Sequence, residues 1–180
     1  MKKAYVFFAT GFEETEAIGT TDVLRRGNVK TITVSMTGDR TVTGGHGIPV
    51  VTDALFEDID LTDADALVLP GGGPMLNDYE SLKKAIVRHH QAGRLVAAIC
   101  AAPLVLGGLG LLRGRRATCY PGFEQYLTGA TVVEAETVKD GNIITGRGPG
   151  MVYPFGLAIV DYLLGAEAAD EVARGLLTKK

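Results

Sequence analysis

Cys100 ends an apolar run and starts a stretch of small residues, R-L-V-A-A-I-C-A-A-P from Arg94 to Pro103. That pattern predicts a buried strand over residues 95–99 and a helix over 101–109, with the cysteine on the elbow between them. A side chain on such a turn is presented sharply, beside free backbone N–H groups and the positive end of a helix. The setting favours a thiolate and therefore a nucleophile. The competing reading is a small buried hydrophobe, the common fate of a free cysteine in a core.

Three further groups have types suited to work with a thiol. Glu13, Glu14 and Glu16 open a helix expected over 14–26, where carboxylates complement the macrodipole. Glu16 shares a face with Gly19, Thr20 and Val23, which points it inward more than Glu13 or Glu14; loss of solvation raises a carboxyl toward the range of a general acid or base. Gly71, Gly72 and Gly73 follow a short strand but lack a dinucleotide or P-loop fingerprint. Their better use is close backbone approach, with an N–H here and another at Ala101 facing an oxyanion.

The remaining candidates are weaker. His46 sits in a glycine-rich excursion that reaches toward the same crevice, while His89 and His90 lie late in a polar helix and read as solvated. No histidine follows Cys100, so the triad of a cysteine protease or amidotransferase is not visible. Tyr120 and Cys119 reach the pocket from a later loop, Cys119 as an inert thiol. Neither the methionines nor the two cysteines have ligand spacing, and no metal or cofactor motif is present in the sequence.

These residues need a scaffold. Strands are expected at 5–9, 30–35, 66–69 and 95–99, an antiparallel excursion at 41–51, and short strands over 117–145 with a hairpin at K-D-G-N, 139–142. Helices are expected at 14–26, at 81–92 with Ser81 as N-cap, at 152–164 and at 168–177. Strands alternating with helices imply an α/β layered fold with a mostly parallel sheet, and ligands of such folds bind outside the carboxyl ends of the strands. With 180 residues, 46% hydrophobic and 22% charged, residues 1–180 fit one domain. A net charge of −3 with scattered cations disfavours nucleic acid, and no apolar run is long enough for a membrane span. A cytoplasmic, reducing location is expected.

The order of these pieces resembles the DJ-one/ThiJ/PfpI superfamily, in particular the small single-domain branch of the parkinsonism-associated protein deglycase and its bacterial relatives. The matching segments are G-F-E-E-T-E-A at 11–17, D-V-L-R-R at 22–26, L-P-G-G at 69–72, A-A-I-C-A-A-P at 97–103 and G-R-G-P-G at 146–150. The resemblance implies a flavodoxin-like three-layer α/β/α sandwich, a homodimer, and no metal or organic cofactor. It gives Cys100 as the reactive cysteine, Glu16 as the protonated glutamate bonded to its sulfur, and Gly72 and Ala101 as the oxyanion N–H groups. Gly71, His46 and Tyr120 would line the pocket.

The activity it implies is glutathione-independent glyoxalase chemistry on small 2-oxoaldehydes, methylglyoxal to lactate by a glyoxalase III-type hydro-lyase, with deglycase-like hydrolysis. The alternative is an oxidative-stress sensor acting through reversible oxidation of Cys100. The chain departs from the family in having Tyr120 where several members place a histidine, His46 where some have arginine, and Ala101 where the protease branch has histidine. Proteolysis and thiazole chemistry are therefore not expected.

Overall fold

The computed structural model describes residues 1–72 and 74–178. In chain order the elements are β1 (Lys3–Phe8), α1 (Glu14–Arg26), β2 (Lys30–Ser35), β3 (Thr41–Thr43), β4 (Pro49–Val51), β5 (Ala54–Leu55), β6 (Ala66–Leu69), α2 (Glu80–Gln91), β7 (Leu95–Ile99), α3 (Pro103–Gly108), β8 (Arg116–Ala117), β9 (Thr131–Val132), β10 (Thr137–Asp140), β11 (Ile143–Gly146), α4 (Val152–Leu164) and α5 (Ala166–Gly175). Seven strands form one sheet in the order β10-β11-β7-β6-β1-β2-β5, parallel throughout except for β10 against β11. The chain winds outward from β1 through β2 to β5, then returns to the other side of β1 with β6. Strand order therefore reverses between β1 and β6, where the following loops part and leave a crevice.

Helices cover both faces, so the central strands are apolar on both sides and read as continuous hydrophobic runs. Successive residues alternate between two cores. Ala4, Val6 and Phe8 of β1, with Leu95, Ala97 and Ile99 of β7, face the side of α1, α4 and α5. Tyr5, Phe7 and Ala9, with Val96 and Ala98, face Leu82 and Ile86 of α2 and Val105 and Leu106 of α3.

Most expected elements appear, and the differences have local causes. Ser81 is not the cap of α2, whose N-cap is Tyr79 with no side-chain hydrogen bond. The helix after Cys100 starts at Pro103 rather than residue 101, because proline has no N–H to donate and suits the first helical turn. The last helix starts two residues ahead of its expected position, at Ala166. Strand β5 and the β8–β9 pair are too short to leave a period in the sequence. His89, expected in solvent, is buried with Nε2 3.0 Å from Leu95 O, and burial pushes its pKa down to about 4.

Candidate active site

Strand alternation would turn residue 100 toward the α2 side, because Ile99 already faces α1. Cys100 instead has φ +66°, a left-handed conformation that costs a non-glycine residue roughly 1–2 kcal/mol, and its side chain packs in the α1 core beside Ile99. The strained residue is held on both sides. Its N–H donates to Gly146 O at 2.9 Å, and its C=O accepts the Tyr120 N–H at 2.8 Å. The sulfur thus reaches the α1 layer at the carboxyl end of the sheet.

Glu16 meets it there. Glu13 caps α1 by accepting the Glu16 N–H on Oε2 at 2.7 Å, which fixes the first turn. The Glu16 side chain is fully buried, its Oε2 accepts the Gly71 N–H at 2.7 Å, and its Oε1 has no hydrogen-bond partner among the described residues. Gly71 lies against both groups: a Cβ there would sit 2.5 Å from Cys100 Cβ and 3.0 Å from its Sγ, and would overlap Glu16 Oε2. Gly72, at φ +117°, pairs with Phe12 in an antiparallel bridge, while Gly71 O accepts the Glu13 N–H at 2.9 Å. Backbone pairing therefore sews the G-F-E-E loop to the L-P-G-G loop. Gly73 lies outside the described residues.

Burial raises Glu16 to about 7, with the negative charge of Glu13 adding to the rise; the Cys100 thiol and the Gly71 N–H oppose it. The cysteine corrects the sequence reading. Burial pushes its thiol up to about 12, and the charge and hydrogen bond of Glu16 push the same way, while the N–H groups of Ala101 and Gly72 pull it down. Ala101 lies in the turn ahead of α3 and Gly72 in the loop after β6, and the pull of their N–H groups is outweighed. Each group opposes ionisation of the other, so the carboxyl gives up its proton well before the thiol does. Glu16 is thus the proton acceptor nearest in character to the thiol it faces.

The other candidates lie at the edge. His46 is exposed at the tip of the β3–β4 hairpin; its N–H donates to Glu14 Oε1 at 2.6 Å, and its Nδ1 lies 2.8 Å from Glu14 Oε2. Glu14 is consequently buried rather than solvated, a role the sequence did not suggest, and it ties the hairpin to the first turn of α1. Ala101 is buried beside the cysteine. The Tyr120 ring is half-exposed and lies over Gly148, so its backbone anchors Cys100 while its side chain faces outward. Cys119 packs in the α2 core, where burial raises its thiol to about 11. Beside Gly71 lies a small depression of about 10 Å³, bordered by Phe12, Pro70, Met75 and Leu76 and not lined by Cys100 or Glu16. A much larger groove of about 990 Å³ runs along α2 and does not include Cys100.

The chain matches the DJ-1/PfpI family over residues 2–162. It is 42% identical to protein DJ-1 homolog B of Arabidopsis thaliana over 99% of its own length and 42% of that protein's. It spans less than half the length of both Arabidopsis relatives it matches, A at 47% and B at 42%. With protein dj-1beta of Drosophila melanogaster it shares 39% identity over 98% of this chain and 97% of the relative. With a protein of Pyrococcus abyssi named a deglycase it shares 40% identity, over 62% of this chain and 70% of that one. The solved structure of Drosophila DJ-1beta superposes with a TM-score of 0.95 at 36% identity over 99% of each chain. That of oxidised Toxoplasma gondii DJ-1 gives 0.96 at 30% identity over 100% of each. A match of this extent, on a fold that brings Cys100 after β7 and Glu16 of α1 to one rim, establishes that the chain belongs to the DJ-1/PfpI family.

Proposed function

We propose that this chain is a cysteine-dependent enzyme acting on small 2-oxoaldehydes, converting methylglyoxal to lactate without glutathione, with deglycase-like hydrolysis of related adducts. The observation that carries the reading is the fully buried Glu16, held by the Gly71 N–H against the cysteine, with burial pushing its carboxyl up to about 7. Ionised Glu16 takes the thiol proton as sulfur bonds to the aldehyde carbon, and the new alkoxide of the hemithioacetal lies against the N–H groups of Gly72 and Ala101. Glu16 passes the thiol proton to the C2 oxygen and, ionised again, carries the C1 proton to C2, so C1 is oxidised and C2 reduced within one molecule. The product is a thioester of a 2-hydroxy acid. Water cleaves it, returning the thiol and the acid.

The balance is one aldehyde plus one water to one hydroxy acid, with no external electron acceptor. The name deglycase, carried by the Pyrococcus relative, supports the hydrolytic side of the reading. Lactate measured from methylglyoxal with purified, reduced, glutathione-free protein tests the proposal. Absence of lactate rejects it.

One observation favours a second reading, reversible oxidation of Cys100 as a stress signal. Glu16 Oε1 is buried and unpartnered, so a protonated carboxyl has a donor to spare for a sulfinate oxygen. Each step consumes one peroxide, thiol to sulfenic acid and sulfenic to sulfinic acid, with release of one water. Intact mass after mild peroxide distinguishes the readings: two oxygens gained at Cys100 without aldehyde turnover selects the sensor.

A homodimer is part of the proposal. Ile18 on α1, Tyr153 on α4, and Ile48 and Val51 on the β3–β4 hairpin are all exposed large hydrophobics, with Val51 at 70%. Close contact between α1 and α4 brings Ile18 and Tyr153 together, and the Glu14–His46 bonds hold the hairpin to α1. A patch of this kind fits a self-complementary subunit contact.

A further inference from the structure

Three glycine–valine contacts join α1 to α4. A Cβ at Gly19 would lie 2.6 Å from Val152 Cγ1, one at Gly156 would lie 2.7 Å from Val23 Cγ1, and one at Gly27 would lie 3.0 Å from Val160 Cγ2. The sequence positions climb in steps of four on both helices, 19-23-27 on α1 against 152-156-160 on α4. Each helix presents one row to the other, glycine-valine-glycine meeting valine-glycine-valine. Both rows advance in the same direction, so the seam fixes how far α1 can slide along α4.

Both ends of the reactive pair are attached to this seam. Glu16 lies one turn before Gly19 on α1. Cys100 donates its N–H to Gly146 O at 2.9 Å, and the chain runs from Gly146 through a short loop into Val152, the first residue of α4. Gly146 is in turn wedged against Ile99 and Phe155, 2.9 Å from each where a Cβ would be. The sulfur is therefore indexed to the start of α4, the carboxyl to the start of α1, and the Gly19–Val152 contact closes the loop between them.

We infer that Gly19 and Val152 are positioning residues that set the separation of Glu16 from Cys100, and that absence of a side chain at 19 is a requirement of their approach. The distances decide it. Carbon atoms rest at about 3.5–4.0 Å, so a methyl at 19 requires α1 to retreat by roughly 1 Å. Valine in a helix has one strongly preferred rotamer, so Val152 does not turn its Cγ1 aside cheaply. Glu16 Oε2 is 2.7 Å from the Gly71 nitrogen, and a retreat of that size carries the bond beyond its working range of about 3.2 Å.

The inference takes from the proposed function only that Glu16 and Cys100 interact, and its test does not use turnover. The rate of iodoacetamide alkylation at Cys100, followed by peptide mass from pH 5 to 11, reports the ionisation of the thiol. Glu16→Gln supplies the profile of an uncoupled cysteine. Gly19→Ala is expected to move the native profile toward that of Glu16→Gln by about one pH unit, on the order of tenfold in rate at fixed pH. Gly19→Ala/Val152→Ala restores the space and is expected to return the rate to within about twofold of native. Gly156→Ala, the same insult on α4 against Val23, about one turn further along the seam, is expected to lower the melting temperature and leave the profile in place. Should Gly19→Ala alone fail to fold, Val152→Ala reads the same contact, since loss of the knob lets α1 settle inward and also moves the profile. A Gly19→Ala or Val152→Ala profile superimposable on native, or a double variant that recovers stability without recovering the profile, overturns the inference. Protein that makes no lactate but passes this test would remove the proposed reaction and keep the positioning role.

Discussion

Gly71 gives its N–H to Glu16 at 2.7 Å while its α-carbon faces Cys100, leaving space for a hydrogen atom where any other residue has a carbon. The glycine is required by its neighbours rather than by its own torsion. Gly71→Ala is therefore expected to push the sulfur and the carboxyl apart. Overpacking costs about 1–3 kcal/mol of stability, and a misplacement near 1 Å costs on the order of 100-fold in turnover. Steady-state kinetics and a thermal melt on the same preparation check both, and a variant within twofold of native turnover would refute the crowding argument.

Two buried groups impose opposite pH dependences over nearly the same range. Glu16 holds its proton to about 7 against an ordinary 4.5, so between these values the native state binds more protons than the unfolded chain and stability falls as pH rises. His89 stays neutral to about 4 against an ordinary 6.5, so there the unfolded chain binds more protons and stability rises with pH. Each shift corresponds to about 3 kcal/mol, and the two largely cancel. Urea unfolding between pH 5 and 6.5 should show a nearly level native profile, a rising one for Glu16→Gln and a falling one for His89→Gln. Parallel profiles for the three proteins would contradict the assignment.

Cys119 should not act as a resolving thiol. Tyr120 N–H bonds to Cys100 O, so the two cysteines are backbone neighbours in space, yet Cys100 packs in the α1 core and Cys119 in the α2 core. Side chains that point apart cannot be bridged without moving the backbone. Peroxide followed by non-reducing peptide mapping is expected to give no Cys100–Cys119 disulfide, and substantial yield of that linkage would show that the elbow opens.

The exposed apolar patch has a direct test. Val51→Asp places a charge at the most exposed of its four residues, away from the buried site. Sedimentation velocity should show the native protein as a dimer and the variant shifted to monomer by at least tenfold in dissociation constant, with native melting retained at low concentration. Identical sedimentation of the two proteins would place the subunit contact elsewhere.

The layered sheet was legible because its strands are continuous apolar runs and its helices amphipathic; 14–26, 30–35, 66–69, 95–99 and 152–164 agree with the observed elements. Meeting of the loops after β1, β6 and β7 followed from strand direction alone. What remained hidden depends on tertiary context. Burial of Glu14 needs the hairpin tip with His46, thirty-two positions away, and burial of His89 needs the carbonyl of Leu95. The thiol was misjudged for a related reason. Local grammar shows the N–H groups beside the sulfur, whereas the desolvation and the nearby carboxyl that outweigh them come from other parts of the chain.

The raised thiols have a consequence for the damaged molecule. Native packing holds Cys100 to about 12 and Cys119 to about 11, against 9.0 for each when free. Denaturation therefore makes both sulfurs more acidic, and the unfolded chain becomes the more promiscuous scavenger of stray electrophiles. What folding confers on Cys100 is restraint: the packed thiol is masked from bystanders that the loosened chain would meet.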